Sequence, residues 1–151
     1  MKIKNSILTA TVAALAFALA PVTQAIIDPP PSTPPPFLGP VITIHSAGTT
    51  GTGDVLRGET GSFVLNRVSG FGYGVHVNFK VSGTAIPGVD YTALVSPTYV
   101  GQSGYAVLSV KTLPDPRGSF NRLAYSVVVT LEPGPGYIVR QPSSAEILIK
   151  P

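Results

Sequence analysis

The sequence predicts an all-β chain, an immunoglobulin-like Greek-key β-sandwich of about seven strands. Three observations carry this prediction. After Ala25 no stretch repeats apolar residues at three-to-four spacing over three turns, so helix signals are missing. From Val41 onward, short segments alternate apolar and polar residues with the two-residue period of a strand. Clusters of Gly, Pro, Ser and Asn separate those segments, as they do in sandwiches. A small barrel is the alternative closure. The chain has neither cysteine nor tryptophan, which excludes the Cys–Trp–Cys signature of antibody domains.

The elements follow in order. Val41–Ser46 makes the first strand. Ala47–Asp54, AGTTGTGD, reads as a flexible hairpin loop; it lacks the Gly-Lys-Ser/Thr of a phosphate cradle. Ser62–Val68 turns Phe63 and Leu65 inward. In Gly74–Val81, GVHVNFKV, Val75, Val77, Phe79 and Val81 face one way and His76, Asn78 and Lys80 the other. Pro97–Val100 is a short strand. Tyr105–Thr112 sets Ala106, Leu108 and Val110 against Tyr105, Ser109 and Lys111. Leu123–Glu132 sets Leu123, Tyr125, Val127, Val129 and Leu131 against Ala124, Ser126, Thr130 and Glu132. Ser144–Lys150 closes the series, with Ala145, Ile147 and Ile149 against Glu146 and Lys150. Tyr125 reads as a core tyrosine in preference to a corner tyrosine. Phe71, Tyr73, Tyr99 and Tyr137 are expected in core or loop packing, although together they would suit a binding platform.

Upstream, Lys2 and Lys4 precede an apolar run from Ile7 to Ala20, and Thr23-Gln24-Ala25 offers small residues for cleavage. Residues 1–25 therefore read as a secretory signal. The run of 14 residues falls short of the roughly 20 that span a bilayer. Removing 25 residues from 151 leaves 126 and takes two lysines away, so eight basic residues face seven acidic ones. A net charge of +1 leaves no footprint for nucleic acid, and no membrane insertion is expected after cleavage. Residues 26–40, IIDPPPSTPPPFLGP, hold seven prolines in 15 positions and read as a polyproline II spacer, with a docking ligand as the second reading. Residues 41–151 form the domain. Without cysteine it has no disulfide, and it must hold together by its core. An exported protein is expected, periplasmic or extracellular and bacterial.

Residues 82–94, SGTAIPGVDYTAL, place a carboxylate, Asp90, in a loop already specified by two turn signals. This stretch closely resembles the most recognisable motif of the Calx-beta family, a Gly-Thr-Ala followed by Gly-x-Asp-Tyr. Glu59-Thr60-Gly61-Ser62-Phe63-Val64-Leu65-Asn66-Arg67 is similar to the opening of such a domain, and the resemblance extends over residues 54–150. It implies an immunoglobulin-like sandwich of two sheets. It also implies calcium, which the better-known members, in sodium–calcium exchangers, bind at one end through carboxylates from several loops. Glu59, Asp90 and Asp115 match positions in that acidic set. Elsewhere the pattern is thinned. Asp115 sits in Leu-Pro-Asp-Pro-Arg-Gly, where prolines replace acids. Gly118, Ser119, Asn121 and Arg122 replace a further acidic cluster, and Lys150-Pro151 stands where closing aspartates would be. Calcium takes six to eight oxygens, with affinity rising with anionic ones, and Arg117, Arg122 or Lys150 nearby would oppose it. Asp90 is therefore expected to accept backbone N–H bonds in its own loop, with calcium ligation as the alternative.

Other chemistry has thin support. Serines, His45, His76 and aspartates can be arranged into a triad on paper, but no Gly-x-Ser-x-Gly elbow is present. Two histidines without cysteine fall short of a zinc set. The leading expectation is a non-enzymatic exported module for surface structure or for contact with a protein or glycan partner. A weak calcium module built on Glu59, Asp90 and Asp115 comes second, and a hydrolase third.

Overall fold

A computed structural model describes residues 39–50, 53–70, 72–118 and 120–151. The expected signal and all of the linker but Gly39 and Pro40 lie outside the described residues.

Among the described residues there are ten strands: β1 (Val41–Ala47), β2 (Val55–Leu56), β3 (Thr60–Ser69), β4 (Val75–Val77), β5 (Phe79–Ser82), β6 (Thr98–Val100), β7 (Tyr105–Lys111), β8 (Tyr125–Leu131), β9 (Ile138–Val139) and β10 (Ser144–Lys150). One sheet has the order β7-β3-β1-β9, the other β2-β10-β8-β5, and β4 pairs with β6. All pairs are antiparallel except β1 with β9 and β10 with β2. The predicted alternation becomes the core directly. Ile42, Ile44, Phe63, Leu65, Leu108 and Val110 from one sheet meet Val127, Val129, Ile147 and Ile149 from the other, all buried. The chain is thus an all-β sandwich of immunoglobulin-like type.

Four details depart from the expectation. The strand over 74–81 breaks at Asn78, with β4 and β5 on either side. There the ladder is replaced by other partners: Asn78 N–H donates to the Tyr137 hydroxyl (3.0 Å), Phe79 N–H to Ser96 Oγ (2.9 Å), and Glu132 N–H to the Asn78 carbonyl (2.9 Å). The long strand begins at Tyr125, and Leu123 is 65% exposed. Its N–H is taken by the Asn121 side chain (3.2 Å), a local turn that removes it from the alternation. The loop over 47–54 is not a hairpin, because it leads from β1 in one sheet to β2 in the other. Among the four aromatics, Tyr137 is buried as expected, but Tyr73 and Tyr99 stand exposed; Phe71 lies outside the described residues.

Candidate functional site

The Gly-Thr of the 82–94 loop clips onto β8. Thr84 N–H donates to Ser126 Oγ (3.2 Å), Ser126 N–H to Thr84 Oγ1 (2.9 Å), and Ala85 N–H to the Ser126 carbonyl (2.9 Å). Gly83 has φ +119° and lies against that carbonyl; a Cβ there would come within 2.2 Å of it. Only glycine accommodates both demands. The chain then turns through Gly88, with Asp90 N–H and Val89 N–H donating to the Ile86 carbonyl (2.8 and 3.1 Å) and Ile86 N–H donating back to Asp90 Oδ2 (2.8 Å). Asp90 and Tyr91 end up buried.

Asp90 closes its own loop, as expected, but it does more. Arg57 Nη2 reaches Asp90 Oδ1 at 2.6 Å from the turn between β2 and β3. Arg117, from the loop between β7 and β8, places Nη1 2.6 Å from Oδ1 and Nη2 3.1 Å from Oδ2. Asp115 joins the same group. Its Oδ1 accepts the Arg117 N–H (2.9 Å) and lies 3.3 Å from Nη1, and its Oδ2 accepts Asn121 Nδ2 (2.6 Å) and lies 3.6 Å from Arg57. The Tyr125 ring lies beneath, 4.2 Å from the Arg117 guanidinium and 5.7 Å from that of Arg57. Arg57 Nη1 also donates to the Leu113 carbonyl (2.9 Å). Two carboxylates and two guanidiniums thus form a neutral clasp across three loops.

The electrostatics follow from those contacts. The Arg117 guanidinium, then the Arg57 guanidinium and the Ile86 N–H, hold the Asp90 carboxyl well below the usual carboxylate range, against the opposing effect of burial. Asp115 is lowered first by the Arg117 backbone N–H. Arg117 is raised by the Asp90 bond. Burial, then the Asp90 charge, pushes the Tyr91 hydroxyl up.

Of the three acids in the candidate set, the fold brings Asp90 and Asp115 together. The Glu59 carboxylate instead accepts the Thr49 hydroxyl, and its backbone carbonyl accepts the Thr112 hydroxyl (2.7 Å). Lys150 is held by Asp54 at 2.5 Å, and Arg122 is exposed. The sequence alone does not single out Arg57. Its only signal was its place two residues before Glu59, in a turn that faces the same pole. A calcium ion needs the oxygens that Arg57 and Arg117 already occupy, so the donor set present here does not fit that ion. Among the described residues no cluster of three or more His, Cys, Asp or Glu side chains could hold a metal. His45 Nδ1 meets Asn66 Nδ2 at 3.0 Å, and the His76 ring lies 5.1 Å from that of Tyr99.

No family model matches the chain, and no curated protein matches it. Solved structures do match by shape, two crystal structures among them. One is CBD12 from CALX1.2, at TM-score 0.54 and 13% identity, covering 73% of this chain and 44% of that one. The other is the apo-form Calx CBD1 domain, at TM-score 0.54 and 12% identity, covering 74% of this chain and 96% of that one. This chain therefore spans less than half of the first structure and nearly all of the second. At this identity the likeness is one of fold, and by fold this chain is a divergent Calx-beta-like β-sandwich.

Proposed function

We propose that this chain is an exported, non-enzymatic Calx-beta-like module for surface structure or protein or glycan contact, with its acidic pole closed by arginine in place of calcium. The observation that supports this reading is the convergence of Arg57 and Arg117 on the buried Asp90. An internal cation travels with the chain. The pole is then formed at any calcium level, and the module keeps its shape as a passive scaffold. The environments of His45 and His76, an amide and a tyrosine ring, favour a non-catalytic role for both.

Thermal melting in chelator and in calcium tests this reading. A ligand that binds only the folded state adds RT ln(1 + [L]/Kd), about 2.7 kcal/mol at a hundredfold excess. Weak extracellular-type sites bind at about 10⁻⁴–10⁻³ M, so about 10 mM calcium suffices. The wild-type transition is expected at the same temperature in both buffers, and Arg117→Ala is expected to lower it in both. A rise of several degrees in calcium that Asp90→Ala and Glu59→Ala both abolish would instead establish the calcium module.

A further inference from the structure

The loop between β7 and β8 contains one of the chain's two Asp-Pro bonds, Asp115–Pro116; the other is Asp28–Pro29. Such a bond carries its own chemistry. Its nitrogen belongs to a tertiary amide. That nitrogen is more basic than an ordinary peptide nitrogen and leaves more readily, and the aspartate carboxylate can close a five-membered ring on its own main-chain carbonyl. The fold uses the pair for a turn. The Asp115 carbonyl accepts Gly118 N–H (3.3 Å), with proline in the second place and Gly118, at φ +95°, in the fourth. The clasp then occupies the carboxylate. Asp115 Oδ1 accepts the Arg117 N–H (2.9 Å) and lies 3.3 Å from Arg117 Nη1. Oδ2 accepts Asn121 Nδ2 (2.6 Å) and lies 3.6 Å from Arg57 Nη2. Both oxygens are engaged by donors from other residues.

We propose that Asp115–Pro116 is a self-cleavage site that the clasp keeps locked. Once the clasp opens, a carboxylate oxygen of Asp115 attacks its own main-chain carbonyl carbon. The C–N bond to Pro116 breaks, and the proline nitrogen takes a proton from the acidic solvent and leaves as a secondary amine. The cyclic anhydride then takes up water, so one fragment ends in Asp115 and the other begins at Pro116. Arg57 and Arg117 face Asp115 directly, and Asp90 and Tyr125 face it through those guanidiniums and through Asn121. Protonating Asp90 removes the charge that both arginines bind, so acid opens the lock and supplies the proton for the leaving nitrogen. The cut separates β1–β7 from β8–β10, and the β5–β8 and β2–β10 pairings bridge it. The proposal rests on the clasp geometry and is independent of the partner of the module.

The test is intact-mass spectrometry of the full chain held warm at about pH 4.5, where an unperturbed aspartate is mostly ionised, with and without guanidinium chloride. The buffer contains chelator, so a calcium effect, which bears on the module reading alone, does not enter. Fragments cut at Asp28–Pro29 differ in mass and are scored apart. Scission at Asp115–Pro116 is expected to run about tenfold or more faster in denaturant, because cleavage follows the population of the opened form. Asn121→Ala removes one donor from Oδ2 and keeps both arginines; without denaturant it is expected to be cut faster than the wild type. Pro116→Ala removes the tertiary amide and is expected to stay whole at this bond in both buffers. Equal wild-type rates in the two buffers, with circular dichroism showing the native sample folded, overturn the proposal. So does a chain left uncut at 115–116 in denaturant, scission that persists in Pro116→Ala, or a folded Asn121→Ala cut no faster than the wild type.

Discussion

Burying the Asp90 carboxylate requires donors, and the chain supplies them from Ile86, Arg57 and Arg117. With its carboxyl lowered, native Asp90 binds a proton less readily than in the unfolded chain, where the value is near 3.8. Its contribution to stability is therefore complete above that pH and is lost as pH falls further toward the folded value. Acid melts should show the wild-type transition falling below about pH 4, with Asp90→Asn giving a flatter profile. At neutral pH Asp90→Asn should cost about 1–3 kcal/mol by leaving guanidinium donors unpaired. Parallel profiles for the two proteins would disprove the clasp. Asp90 could be singled out from sequence because its motif is local and dense with glycine. Arg57 could not, because it lies 33 residues away and its partner is chosen by the way two turns meet. A charge count shows that arginines exist; it does not show which one faces inward.

At the level of the element, β4 and β5 form one stretch of alternation in the sequence and two strands in the molecule. The period is kept across the break, with Val77 and Phe79 both buried, which is why the pattern was legible and the interruption was not. What interrupts it is the Tyr137 hydroxyl, which accepts Asn78 N–H and donates to the Glu132 carbonyl at 2.6 Å. The tyrosine fits because Gly134 lies beneath it; a Cβ there would come within 2.6 Å of its Oη. Tyr137→Phe keeps the packed ring and strands both backbone partners, so it should cost about 1–3 kcal/mol in a denaturant titration. A change below about 0.5 kcal/mol, the range of an ordinary surface substitution, would show that water replaces the hydroxyl without loss. The short strands β2 and β9 escaped the sequence reading for a simpler reason: two residues carry no period.

For the molecule as a whole, the layers were readable because each long strand carries its own buried set, while the order of strands depends on which edges meet. The parallel contact of β10 with β2 is of that second kind. It pairs Ile149 with Val55 and Lys150 with Leu56, extends to Arg57 N–H on the Lys150 carbonyl (2.9 Å), and is flanked by the Lys150–Asp54 ion pair. β3 turns back directly after β2 and runs antiparallel to β1, so β2 runs in the direction of β1. Val41 and Lys150 consequently sit at opposite poles, and a tension applied between them acts along the strands. The β2–β10 bonds then lie across the load and must fail together, whereas a hairpin pulled open loses its bonds one after another. Single-molecule pulling between those two residues should therefore meet a single sharp rupture, and a gradual yield at hairpin-like force would contradict it. A module tethered at both ends would be a mechanical clamp as well as a spacer.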